Sequence, residues 1–167
     1  EEGRGVPVKV ISPLFADQSE MRRSIVPGLL RSIAYNLAHG VSNIAMYELG
    51  RVLFGHKDKS QPDEPRYVCG VLVGRPADDT WNAKYLAYDF FDAKGIGLLE
   101  ALRIPKVRFR VAEPEQYGWL QPGRAAEILA GSETIGWVGN IHPLSLQNFD
   151  IEVPVIAFEI SVASLLR

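Results

Sequence analysis

Apolar and polar residues along this chain change between two periods, and the changes mark its elements. Leu29, Leu30, Ile33, Ala34 and Leu37 lie on one stripe of a 3.6-residue helix. Ser24 stands before that stripe as an N-cap, Pro27 sits in the first turn where its missing N–H costs little, and His39-Gly40 closes the helix. Residues 44–54 read as a strand, and 55–65, polar with two prolines, as a mobile inserted loop. The continuous apolar run 67–73 predicts a buried strand, with a turn over 74–80. Phe90, Phe91, Ala93, Leu98, Leu99 and Leu102 give 89–102 an apolar helical side. Residues 106–111 alternate charged and apolar, as a half-exposed strand does. Runs 125–129 and 134–141 flank Ala130-Gly131-Ser132-Glu133 as a hairpin, 144–149 reads as a short helix behind Pro143, and 153–160 as a last strand, with Ser161 capping a final helix. Near the start, 6–11 alternates weakly as a short strand that Ser12-Pro13 stops.

Strands and hairpins with helices interspersed, without regular βαβ alternation, predict an α+β domain: an antiparallel sheet flanked by helices, which cover one of its faces. The 167 residues are one domain's worth of chain, and no internal boundary is visible. The composition, 47% hydrophobic and 23% charged, is that of a globular protein. A formal net charge of -2 excludes a general basic field for nucleic acid or anionic lipid. One cysteine, Cys69, sits inside an apolar run and reads as a small core residue, since a single thiol builds neither a disulfide framework nor a cysteine-based zinc site. The longest apolar runs fall far short of the roughly 20 residues of a membrane span. Glu1-Glu2-Gly3-Arg4 has no signal-peptide pattern, and without an initial Met the chain reads as an excised fragment.

Self-evident catalytic chemistry does not emerge from the residues. His39, His56 and His142 lack metal-ligand spacing, and His142 before Pro143 reads as a turn-former or hydrogen-bonding partner. Asp89 and Asp92 are a carboxylate pair that reads as a helix cap and a dipole partner rather than an acid–base couple. Gly95, Gly97, Gly136 and Gly139 are too sparse for a phosphate cradle, and the last two read as sites of close strand packing or a bulge. Trp81, Trp119 and Trp137 lack the interleaved basic residues of a base-stacking platform. Phe90-Phe91 suggests a partner-facing surface, though a core explains it equally well.

Five phrases, in order and at matching spacing over residues 8–166, resemble one family. They are the run from Ser12-Pro13-Leu14 through Met21-Arg22-Arg23-Ser24-Ile25-Val26-Pro27-Gly28-Leu29-Leu30 to Asn36; Tyr47-Glu48-Leu49-Gly50-Arg51; Asp89-Phe90-Phe91-Asp92-Ala93-Lys94-Gly95; Pro122-Gly123-Arg124-Ala125-Ala126-Glu127 with Gly136, Gly139 and His142-Pro143; and Ala157-Phe158-Glu159. Together they resemble the β subunit of bacterial phenylalanyl-tRNA synthetase in its class II core-like region. That resemblance implies a class II synthetase-like antiparallel sheet, here a single core-like domain over 1–167 that is a fragment of a longer β subunit. It also implies an (αβ)₂ cytoplasmic enzyme that joins phenylalanine to tRNA using ATP and Mg²⁺. In that family the α subunit carries the aminoacylation site, and tRNA contacts come through other domains of the β chain.

The resemblance also implies a lost active site. Matching Glu48 to the Glu of an active Arg-x-Glu strand puts Met46 at the cation's position, and a thioether cannot neutralise a phosphate. In the closing motif, Glu159 and Ser161 stand for two glycines and Ser164 for an arginine. The expected role is therefore a non-catalytic scaffold for the α subunit, with no catalytic or metal residue and no cofactor of its own. The alternative is a vestigial nucleotide or small-molecule pocket lined by Arg22, Glu48, Arg51 and Arg124.

Overall fold

In the computed structural model, which describes residues 5–13, 19–57, 61–95 and 107–165, the strands join into one six-stranded antiparallel sheet. They are β1 (Ile44–Arg51), β2 (Arg66–Val73), β3 (Val107–Val111), β4 (Leu120–Ala130), β5 (Glu133–Ile141) and β6 (Ile156–Ser161), ordered β1-β2-β6-β5-β4-β3. β1–β2, β3–β4, β4–β5 and β5–β6 pair in sequence, the chain crosses from β2 to the far edge at β3, and β6 closes the sheet between β2 and β5. Among the described residues three short or medium helices accompany it: α1 (Val26–Ala38), α2 (Phe90–Lys94) and α3 (Pro143–Gln147). A 3₁₀ turn, Ala163–Leu165, follows β6.

The fold class expected from the pattern holds, with one correction. Helices lie against both faces of the sheet, not one. Ile25, Val26, Leu29, Leu30 and Ile33 of the α1 segment pack with Cys69, Val71 and Ala157, whereas Ala93 and Phe90 of α2 pack with Ile128, Val138, Ile156 and Ile160. The apolar run of β2 explains why: Val71 and Leu72 are both buried, one toward each layer, so neither face is left to water. Alternation alone does not say which helix takes which face.

Several boundaries moved. The α1 stripe is confirmed, with Leu29, Leu30 and Ile33 buried, but the N-cap position is Ile25 rather than Ser24. The strand expected over 44–54 ends at Arg51; Phe54 instead makes an isolated bridge to Asp63, so the ends of the 55–65 loop are clamped by paired backbone bonds. Residues 6–11 contribute only isolated bridges, Val6 to Gly55 and Lys9 to Glu20. The helix expected over 89–102 is described over Phe90–Lys94, and its part from 96 onward lies outside the described residues. Asp89 caps it as expected: its carboxylate accepts from Phe91 N and Asp92 N, and Asp92 accepts from Asp89 N, a reciprocal capping box. The hairpin turns at Gly131, whose φ of 64° suits the first central position of a tight two-residue turn.

Candidate functional site

One row of side chains crosses the α1 face of the sheet from edge to edge. The strand register aligns Glu48 (β1) with Cys69 (β2), Cys69 with Glu159 (β6), Glu159 with Trp137 (β5), Trp137 with Glu127 (β4) and Glu127 with Arg110 (β3). Cross-strand partners on one face stand side by side, so three glutamates share a single rung. Two of them are buried almost completely, Glu127 at 3% exposure and Glu159 at 1%. A carboxylate in such a place needs hydrogen-bonding partners, because its desolvation is costly.

Each glutamate finds those partners inside the chain. Glu159 Oε1 accepts from Ser24 Oγ and from the backbone N–H of Ile25, both at 2.8 Å. A strand carboxylate thus caps the start of α1, where exposed N–H groups and the helix dipole favour negative charge. Ser24 Oγ also accepts from Val26 N at 3.2 Å. Ser24 therefore supports the helix start while sitting one residue ahead of the expected cap. Glu127 accepts from Tyr117 Oη at 3.1 Å and from Arg110 Nε at 2.8 Å, with Arg110 Nη2 on the same oxygen. Glu48 accepts from Arg22 Nη1 at 2.6 Å, and Arg22 Nε donates to the Arg51 carbonyl at 2.9 Å. Gly50 makes room for this clasp: a Cβ there would collide with Arg22 Nη2.

The sequence-derived site residues divide into two places. Arg22, Glu48 and Arg51 come together at the β1 edge, where Arg51 Nη1 also pairs with Glu64 at 3.2 Å. Arg124 lies on β4, four strand positions away in the sheet order, or about 19 Å of sheet width. The four do not line one pocket. Met46 packs against the α1 core cluster, and Ser164 Oγ donates to Glu133 Oε1 at 3.1 Å. The histidines are engaged one by one: His39 with the Tyr35 carbonyl, His56 with Asp63, and His142 as the N-cap acceptor for Leu144 N. No cluster of metal-ligating side chains occurs among the described residues. Cys69 is fully buried beside Glu159, in the core position expected for it.

Two of the depressions in the surface flank these helices. A small apolar one, about 220 Å³, lies between α1 and α3, lined by Val26, Leu30, Trp119, Ile141 and Phe149. A larger one, about 610 Å³, opens on the other face between α2, β3 and β4. Its floor includes Asn140, 8% exposed, whose Oδ1 is shut off from solvent without a hydrogen-bond partner. Sequence reasoning missed Asn140, Tyr117 and Arg110. Lone acids in apolar strands, Glu127 and Glu159, were the legible signal that buried partners must exist. The partners are distant in the chain: Ser24 is 135 residues from Glu159.

Known proteins place this arrangement. The chain resembles the structure of pyrrolysyl-tRNA synthetase from Desulfitobacterium hafniense, with a TM-score of 0.63 at 14% identity, over 88% of this chain and 49% of that one. At that identity the likeness speaks for the fold alone, that of a class II synthetase core. In sequence it is 33% identical over 99% of its length to the phenylalanine–tRNA ligase beta subunit of Syntrophotalea carbinolica, and 35% identical over 92% to that of Bacillus subtilis. It spans only 21% and 19% of those relatives' own lengths. The profile described as the phenylalanyl tRNA synthetase beta chain CLM domain matches residues 1–162, and the chain therefore belongs to that family.

Proposed function

We propose that this chain is a non-catalytic, synthetase-shaped scaffold within a phenylalanine–tRNA ligase β subunit, and that it packs against the α subunit that performs aminoacylation. The observation that carries the reading is that all three glutamates of the rung are held by groups of the same chain, although the Trp137 Nε1–H between them has no hydrogen-bond partner among the described residues. In a working nucleotide site, polar groups on such a face are left for the ligand and its counter-ions. Here Glu48 is held by Arg22, Glu127 by Arg110 and Tyr117, and Glu159 by Ser24 and the start of α1. The positions matched to phosphate-binding cations carry Met46 and Ser164, neither able to neutralise a phosphate. Glu159, matched to a glycine, adds negative charge where a triphosphate would approach.

On this reading the whole enzyme is a cytoplasmic (αβ)₂ assembly that uses ATP and Mg²⁺, and tRNA is gripped through other domains of the β chain. The described helices include none long and apolar enough to cross a membrane. The alternative vestigial nucleotide pocket is less well supported, because Arg22, Arg51 and Glu48 are committed to internal partners and Arg124 lies across the sheet. ATP–pyrophosphate exchange with phenylalanine tests the proposal. The whole β subunit without α is expected to show none, and to co-purify with α when the two are co-expressed. Exchange by β alone would overturn the scaffold reading.

A further inference from the structure

The connection from β2 to α2 displays large apolar side chains on a backbone that is tied down at short intervals. Trp81 is 98% exposed, Leu86 88% and Phe91 70%. Asn43 Nδ2 donates to Asp78 Oδ1 at 2.6 Å, and Asn43 Oδ1 accepts from the Arg75 N–H at 3.1 Å. Arg75 pairs with Asp79 at 2.8 Å, and Asp79 Oδ1 accepts from the Tyr85 N–H at 3.0 Å. The Thr80 N–H donates to the Ala83 carbonyl at 2.8 Å, so Trp81 and Asn82 form the tip of a closed turn. The Tyr88 N–H donates to the Gly74 carbonyl at 2.8 Å and joins the two ends of the segment. Phe91 follows on the capped start of α2, edge-on to Phe90, their ring centroids 5.6 Å apart. Phe90 packs against the core beneath α2, so one ring of the pair anchors and the other is left in water.

An indole left in water forgoes its hydrophobic stabilisation, and a fixed turn that holds it there is arranged for a contact outside the domain. We propose that residues 81–91 are the docking surface for the α subunit, with Trp81 as the anchor that fills an apolar pocket of that subunit and with Leu86 and Phe91 packed around it. This surface is where the packing proposed above takes place, and its assignment rests on that scaffold reading. A large aromatic side chain already held in position loses little freedom on binding, which is what makes such residues the usual anchors of interfaces. Charge speaks against RNA as the occupant. Arg75 and Lys84 are matched by Asp78 and Asp79, so the segment 75–88 has no surplus of positive charge to hold phosphates beside a stacked base. A second copy offers the apolar depression of about 220 Å³ between α1 and α3, but the turn of one copy in the depression of the next is a head-to-tail contact that need not close. A companion polypeptide fits better, and the relatives at 33% and 35% identity are each named a beta subunit, one chain of an assembly with another.

Iodide quenching of tryptophan fluorescence in the whole β subunit, alone and with purified α subunit, tests this. The signal of Trp81 is the difference between the parent and Trp81→Phe. It is expected to be open to iodide in β alone and to lose most of that quenching, roughly fivefold or more, once α is added. Trp81→Ala should weaken the α–β association at least roughly 30-fold, and Trp81→Phe by less because a ring is kept. Neither substitution should move the melting temperature of β alone, since the side chain is 98% exposed. A Trp81 that stays open to iodide in the complex would overturn the proposal, as would an association within roughly threefold of the parent's in Trp81→Ala. So would a Trp81 already shielded in β alone, one shielded by tRNA without α, or a self-association of β that Trp81→Ala abolishes. The two readings separate cleanly. Association with Trp81 still open removes this surface and leaves the scaffold reading intact, whereas parent β that does not associate with α removes both.

Discussion

The two faces of one sheet bury different polar groups and hold them differently. Under α1, Glu127 and Glu159 are buried and hydrogen-bonded by groups from the same chain, while the Trp137 Nε1–H between them has no hydrogen-bond partner among the described residues. Under α2, Asn140 is buried and lacks such a partner, beside an unpaired Arg124 and exposed Phe91. The same strands contribute to both faces, so β-structure itself does not make the difference. What differs is the segment laid on top. The residues before and at the start of α1 bring Arg22, Ser24 and the Ile25 N–H onto the rung, whereas the described part of α2 brings Phe90 and Ala93 onto the other face. A closed face carries architecture, and an open one is where a ligand or partner has something to gain.

The strongest challenge to this contrast is to break the closed face. Ile33→Asp places an unpaired charge at a fully buried position of α1 and should cost at least about 4 kcal/mol, enough to unfold a domain of ordinary stability. A variant that melts like the parent by circular dichroism would show that α1 is misplaced.

A paired comparison sharpens the point. Glu159→Leu strands the Ser24 hydroxyl and the Ile25 N–H and should cost about 3 kcal/mol in urea unfolding. Asn140→Leu removes a group that lacks a partner and should fall within about 1 kcal/mol of the parent. If the two substitutions cost the same, the faces do not differ as described. Arg22→Met should cost less again, no more than about 1 kcal/mol, because the Arg22–Glu48 pair is 44% and 35% exposed and screened by water.

The smallest effect lies at Asp79, away from both faces. The Tyr85 backbone N–H, and next Arg75, hold its carboxyl below the ordinary 3.8. Because the folded value is the lower one, the ionised group's contribution is complete above the ordinary value and is lost as pH falls through the folded one. A carboxyl NMR titration should place its midpoint below 3.8; a midpoint at or above that value would remove the Tyr85 and Arg75 contacts from solution.

How far these features were readable follows from their range. The α1 stripe, the β4–β5 hairpin and the Asp89 cap rest on contacts within a few residues, so side-chain period and turn chemistry announce them. The order of β6 between β2 and β5, the choice of face for each helix and the rung itself rest on pairings far apart in the chain. Of the expected site residues, Arg22, Glu48 and Arg51 belong together through one such pairing, and Arg124 does not join them.

By itself, then, the order of residues determined the kinds of elements, the α+β class and, through five spaced phrases, the family. Only the tertiary structure decided that Glu159 caps α1, that Gly50 clears space for Arg22, and that Asn140 remains open beside Arg124. The physical reason is locality: periodicity and capping are properties of a few adjacent residues, whereas the partner of a buried charge is chosen when distant strands are brought into register.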